Sequence, residues 1–279
     1  MTERYIFTVA TGRCGQSSLT HLLNTHVEGC YAAFEEPSPK LRFKGALRDL
    51  ERHFRRRFIE THELLGRGKV LTAFENGDEA YLDRIAAKRL RLIDAKGARI
   101  HVDVSKYFAR GLHKSFARAC PGMGLILLVR DPVLNMRSFL NRNKRFTLDN
   151  NMPDARSNLL RMSHDDFEKG EFYLWAWCEM YLRYLALLDE FDIGARAIIR
   201  TEDLNDAERM NAHFDDLALE HSPVVTVAPR NTNEQQGKGA TAAASADVDL
   251  FLRFRERLPA DMRQRIGYLA DYDPRKHLT

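Results

Sequence analysis

Residues Thr11-Gly12-Arg13-Cys14-Gly15-Gln16-Ser17-Ser18 gather two glycines, an arginine and three hydroxyl side chains in one short stretch. Glycines allow a turn to bring backbone N–H groups close to an anion, and a helix starting behind the turn adds its own unbonded amides. Anion binding is the chemistry this suits. A Walker A loop, G-x-x-x-x-G-K-[ST], would need a Lys before Ser17-Ser18, and none is present. The loop's cation is instead Arg13, which argues against an ordinary ATPase or GTPase while keeping the anion-binding geometry. A cysteine-phosphatase C-x₅-R pattern starting at Cys14 fails because Thr20 stands where the Arg is required. Cys14 is expected to fill the loop, with a thiol pKa open to lowering by the helix N-terminus.

The elements that must position this loop follow from hydrophobic patterning. Tyr5 to Ala10 is β-branched and aromatic and reads as a buried strand running into the loop, and Leu19, Leu22 and Leu23 mark one face of the helix after it. Further strands are expected at Cys30–Phe34, Arg99–Val104, Gly124–Val129 and Ala195–Arg200. The fourth of these five is apolar throughout, as in a central parallel strand covered on both faces. Helical patterns run from Lys40 to about Leu65, Ala80 to Ala95, Lys106 to about Ala119, Glu171 to Phe191 and Val248 to Leu258, and Pro132 suits the first turn of another. Trp175 and Trp177 cannot share one core stripe, so Trp175 is expected in the core and Trp177 at a pocket or loop. Alternating strands and helices predict an α/β fold, a P-loop-like three-layer arrangement with a central, mainly parallel sheet flanked by helices. No internal repeat is visible, and one domain over residues 1–279 is the simplest account. Pro229 to Asp247, rich in Asn, Gln, Gly, Ala and Ser, is expected to be a flexible loop.

Totals narrow the function classes. The chain has 279 residues, 44% hydrophobic and 29% charged, with 43 Lys and Arg against 39 Asp and Glu. A net charge of +4 is too small to announce a nucleic-acid binder. The four cysteines (Cys14, Cys30, Cys120, Cys178) form no C-x-x-C pair, so neither a disulfide framework nor a zinc site is expected. No His, Asp and Glu cluster has metal spacing. The apolar stretch before Gly12 is too short for a secretory signal, and the longest apolar run is too short to span a bilayer. A cytoplasmic protein is the expectation.

Arg130 closes the fourth strand, and Ser138 follows in Arg130-Asp131-Pro132-Val133-Leu134-Asn135-Met136-Arg137-Ser138. This segment resembles the 3′-phosphate-binding motif of sulfotransferases that use 3′-phosphoadenosine 5′-phosphosulfate (PAPS), where a guanidinium fork and a helix hydroxyl grip phosphate oxygens. Thr11 to Ser18 is similar to that family's 5′-phosphosulfate loop in the variant carrying Arg, as in tyrosylprotein and many bacterial sulfotransferases. Trp175 to Phe191 and the strand ending in Glu202-Asp203-Leu204 also resemble family segments, so the likeness covers about Tyr5 to Leu204.

The resemblance implies that Gly12, Arg13, Cys14, Gly15, Gln16, Ser17, Ser18, Arg130, Ser138 and Lys238 bind PAPS, with adenosine 3′,5′-bisphosphate as product and no metal. It implies a base after the second strand. Glu36 is preferred because Pro37 fixes the chain beside it, Glu35 comes second, and His101 is a further candidate or a core residue. The family's strand lysine is displaced here: Val104 stands near its position, and Lys106 either takes the role or leaves it vacant. The acceptor hydroxyl belongs to a small molecule, glycan, lipid or peptide, and the sequence does not choose. The Arg-rich segment Arg48 to Arg57 is a solvated helix face or a receiver for an acidic acceptor. Oligomeric state is not legible. Two other readings stand beside this one, a nucleotide-dependent kinase and a sulfotransferase-like binding protein without catalysis.

Overall fold

The computed structural model describes residues 2–37, 42–58, 61–141, 157–226 and 243–278. Five strands, β1 (Arg4–Val9), β2 (Cys30–Phe34), β3 (Ile100–Val104), β4 (Gly124–Val129) and β5 (Ala195–Arg200), form one sheet in the order β2-β3-β1-β4-β5. Every neighbouring pair is parallel. All five C-terminal ends therefore open on one edge of the sheet. β1 lies between β3 and β4, where the connections diverge to either side, which is where open α/β sheets leave a crevice.

Strand residues alternate between two cores, as their period of two requires. Ile6, Val102, Ile126 and Ile199 meet Leu19, Leu22 and Leu23 of α1 (Gln16–His26) and Met210 and Phe214 of a helix at Ala207–Asp216. Phe7, Leu125 and Leu127 face the other way, onto Phe108, Phe116 and Trp175. Phe7 stacks on Phe108 with ring centroids 4.7 Å apart. A buried aromatic pair of this kind contributes about 1 kcal/mol beyond its buried area.

The expected helix from Lys40 to Leu65 is α2 (Ala46–Phe58) and a single turn, α3 (Thr61–Leu64). Helix α4 (Lys69–Asn76) was not legible in the sequence, whereas α5 (Glu79–Asp94) was. The helix expected from Lys106 is cut into a 3₁₀ turn, Phe108–Arg110, and α6 (His113–Ala119). Gly111 marks the break: any side chain there would meet Val70 Cγ1 at 2.7 Å, so the chain is pressed against α4. Helix α7 (Pro132–Leu140) starts on its proline, with the Asp131 carboxylate accepting from the amides of Val133 and Leu134.

Helix α8 (Lys169–Glu190) corrects the expectation for its tryptophans. Trp175 and Trp177 are both buried, because α8 is covered nearly all round rather than along one stripe. The Trp175 indole donates to Leu160 O at 3.2 Å, and that of Trp177 to Arg130 O at 2.8 Å. Ala207–Asp216 is α9, and α10 (Ser245–Arg257) and α11 (Ala260–Arg265) follow. Of the expected loop at 229–247, residues up to 242 lie outside the described residues, and α10 begins three residues earlier than the apolar pattern indicated. No helix among the described residues is long and apolar enough to cross a membrane.

Candidate functional site

The loop after β1 turns by left-handed backbone at three successive points, Gly12 (φ 97°), Arg13 (φ 63°) and Gly15 (φ 89°). For Arg13 this conformation is costly, of order 1 kcal/mol or more, and it is held by surrounding hydrogen bonds. Asn135 of α7 donates to Gly12 O at 2.9 Å and accepts from the Thr11 hydroxyl at 3.2 Å. Thr201, just past β5, donates to Cys14 O at 3.1 Å. A Cβ at Gly15 would press on Leu204 Cδ1, and the left-handed φ of 89° there also favours glycine.

Gly15 caps α1 with no side-chain hydrogen bond, and the first turn of α1 has no acidic residue. The helix N-terminus thus keeps its positive end uncompensated. The Gln16 amide nitrogen is buried there without a hydrogen-bond partner. Ser17 is exposed and Ser18 half-buried behind it. Cys14 is fully buried, and burial raises its thiol pKa, outweighing the nearby Thr11 hydroxyl and the Arg130 charge. The lowering that its place before a helix suggested does not occur, and Cys14 packs as part of the loop.

Two of the segments meet directly. Arg13 Nε donates to Ser138 Oγ at 3.1 Å, and Arg130 Nη1 donates to Arg13 O at 3.3 Å. Ser138 is buried, Arg130 is half-buried at the end of β4, and the Trp177 indole holds the Arg130 carbonyl from behind. The loop arginine and the Arg130–Ser138 pair form one cationic floor at the sheet edge.

The third contribution comes from β2 and β3. Lys106 lays its stem across the loop, since a Cβ on Gly12 would meet Lys106 Cδ at 2.9 Å. Its ammonium pairs with Glu35 Oε1 at 3.1 Å. Glu35 itself is left-handed (φ 50°), and this turns it towards the loop while its neighbour goes elsewhere. Glu36 accepts from Tyr31 Oη at 3.0 Å and pairs with Lys96 at 3.3 Å, on the outer edge of the sheet. Beneath them, the buried Arg89 pairs with Asp103 at 2.6 Å and donates to Glu36 O at 3.0 Å, tying the turn to α5 and β3. Burial lifts the Asp103 carboxyl to about 6 despite Arg89.

His101 is buried behind this layer, 6.0 Å from the Tyr31 ring, and desolvation with the Arg89 charge lowers it to about 4. It contacts none of the loop residues. Lys238 lies outside the described residues. Among the described residues no group of three or more His, Cys, Asp or Glu is placed to hold a metal ion.

The sequence reading missed Asn135 and Thr201, which fix the loop's carbonyls, and it missed Arg110. Arg110 is buried with Nε and Nη1 lacking hydrogen-bond partners, its guanidinium 5.2 Å from the Tyr107 ring that Lys106 also overlies at 4.9 Å. Desolvation pushes it down to about 10. Asn135 had a signal, an amide side chain inside the same Arg130–Ser138 segment; Arg110 had none. Arranged together, these groups can bind a doubly anionic ligand along Arg13, Arg130 and Lys106 and present a carboxylate beside it.

No family model and no curated protein matches the chain. Solved structures do. A sulfotransferase from Alicyclobacillus acidocaldarius is similar over 94% of this chain and 100% of its own, at 17% identity and a TM-score of 0.41. The sulfotransferase domain from the curacin biosynthetic pathway is similar over 98% of this chain and 99% of its own, at 13% identity and a TM-score of 0.52. The second of these shows that the chain has the fold of that domain.

Proposed function

We propose that this chain is a sulfotransferase that moves a sulfuryl group from PAPS to an acceptor hydroxyl. The observation that carries the reading is the Arg13–Ser138 hydrogen bond, which joins the phosphate-type loop and the Arg130 segment into one anion site. The uncapped α1 N-terminus, the unpartnered Gln16 amide and three cations suit a ligand with phosphate at both ends. Arg130 and Ser138 would hold its 3′-phosphate; Arg13, Lys106 and the loop amides would hold the 5′-phosphosulfate. PAPS, when bound, supplies the sulfuryl group as a substrate, and a metal is not part of the reading.

Glu35 is proposed as the base in place of Glu36, because Glu35 meets Lys106 over the loop and Glu36 is engaged outside it. Glu35 takes the acceptor's proton as the hydroxyl oxygen bonds to sulfur, and the bond from sulfur to the 5′-phosphate oxygen breaks. The products are a sulfate ester and adenosine 3′,5′-bisphosphate. Arg13 and Lys106 stabilise the charge that grows on the departing phosphate, the term that preorganised donors serve best. Incubation with radiolabelled PAPS and a panel of glycan, lipid, phenolic and peptide hydroxyls tests this. Label should reach an acceptor with wild type and not with Glu35→Gln. Magnesium-dependent ATP turnover with no transfer of label would establish a kinase instead.

A further inference from the structure

Helix α2 carries its apolar side chains in solvent. Leu47, Leu50, Phe54 and Phe58 are 60, 66, 54 and 67% exposed. At 3.6 residues per turn the four fall within an arc of about 80° on one face. Phe54 and Phe58 touch, with ring centroids 4.9 Å apart, and Phe43 just before the helix is also exposed. Apolar residues scattered singly on a surface need no explanation, but an aligned stripe of large ones marks a contact face.

The same segment is strongly basic. Arg42 to Phe58 holds seven Lys or Arg residues and two acids. Both acids are engaged within the segment: Asp49 pairs with Arg52 at 3.2 Å, and Glu51 pairs with Arg55 at 2.9 Å and accepts from the Arg42 and Phe43 amides. Seven bases against two acids leave the segment a net formal charge of +5. We propose that α2 docks the protein on an anionic lipid surface, with Leu47, Leu50, Phe54 and Phe58 in the boundary between headgroups and acyl chains and the arginines on lipid phosphates. A second copy of the chain would bring the same positive charge against this one. An acidic polysaccharide would occupy the arginines and leave the apolar stripe in water. The inference does not depend on the donor chemistry proposed above.

Co-sedimentation of the full chain with phosphatidylcholine vesicles, with and without phosphatidylglycerol, tests it. Binding should require phosphatidylglycerol and weaken as salt rises. Leu50→Glu/Phe54→Glu should lower the bound fraction about tenfold or more, and Lys44→Gln/Arg48→Gln severalfold, with thermal melting unchanged because all four side chains are exposed. The proposal is overturned if anionic vesicles bring down no protein, if neutral vesicles bind equally well, or if the Leu50→Glu/Phe54→Glu variant binds as wild type. Concentration-dependent self-association that the same variant abolishes, without vesicle binding, would make the stripe a subunit interface. Polyanion binding indifferent to that variant, without vesicle binding, would leave only the arginines functional.

Discussion

The site has two halves built to different standards. On the donor side each turn of the loop is tied by a buried or half-buried hydrogen bond: Asn135 on Gly12, Thr201 on Cys14, Arg130 on Arg13, Arg13 on Ser138, and Trp177 on Arg130. On the acceptor side the central contact is one half-exposed ion pair, Lys106–Glu35, and the chain beyond Pro37 leads into a helix lying largely in solvent. Preorganised donors act without reorganisation cost when charge develops, so rigidity is what the proposed phosphate site would need. The Lys106–Glu35 pair is partly buried, and behind it the buried Arg89 ties Glu36 O to Asp103, so this half is held by ion pairs where the loop is held by hydrogen bonds on its carbonyls.

Four changes would break or sharpen that contrast. The largest effect is expected from Glu35→Gln, which should lower kcat about a thousandfold, while Glu36→Gln stays within about threefold. Equal losses in steady-state assays would erase the distinction between the two carboxylates. Next comes His101, on the acceptor side of the sheet. Its folded pKa of about 4 lies below its ordinary value, so its contribution is complete above about pH 6.5 and is lost as pH falls towards 4. Asp103, raised to about 6, acts oppositely, losing stability as pH rises through that range. His101→Phe should therefore remove about 3 kcal/mol of the acid-side loss in urea unfolding between pH 4 and 6.5. An unchanged pH slope would show that His101 titrates normally.

On the donor side Asn135→Ala leaves Gly12 O without that partner and should cost about 2 kcal/mol in stability. It should weaken adenosine 3′,5′-bisphosphate binding as the loop loosens. A loss of stability with unaltered binding would separate the loop's order from its function. The smallest effect is expected at Lys96, whose pair with Glu36 is exposed; Lys96→Ala should leave turnover and melting nearly unchanged.

Much of the donor half was legible in sequence because it is local. The loop, its strand and its helix are contiguous from Tyr5 to Leu23, and Arg130 to Ser138 is one strand end and one helix. All five strands stood out as apolar or β-branched runs of the right length. The acceptor half was not legible to the same depth. Two adjacent carboxylates look alike in sequence, and what separates Glu35 from Glu36 is a left-handed φ and a lysine arriving from another strand. The expectation that Trp175 and Trp177 could not both lie in the core failed because a helix covered on all sides has no stripe to read, although Trp177 does cover the loop at Arg130. Helix α4 was missed because a short helix between glycines offers few turns of periodicity. Arg110 is invisible to pattern altogether, since only packing buries it.

Calorimetric titration with adenosine 3′,5′-bisphosphate, on wild type and Arg130→Ala, tests the central claim most directly. Micromolar-range binding to wild type that weakens about a hundredfold in the variant is the predicted result. A wild-type protein that ignores this ligand and binds ATP with magnesium would contradict the sulfotransferase reading.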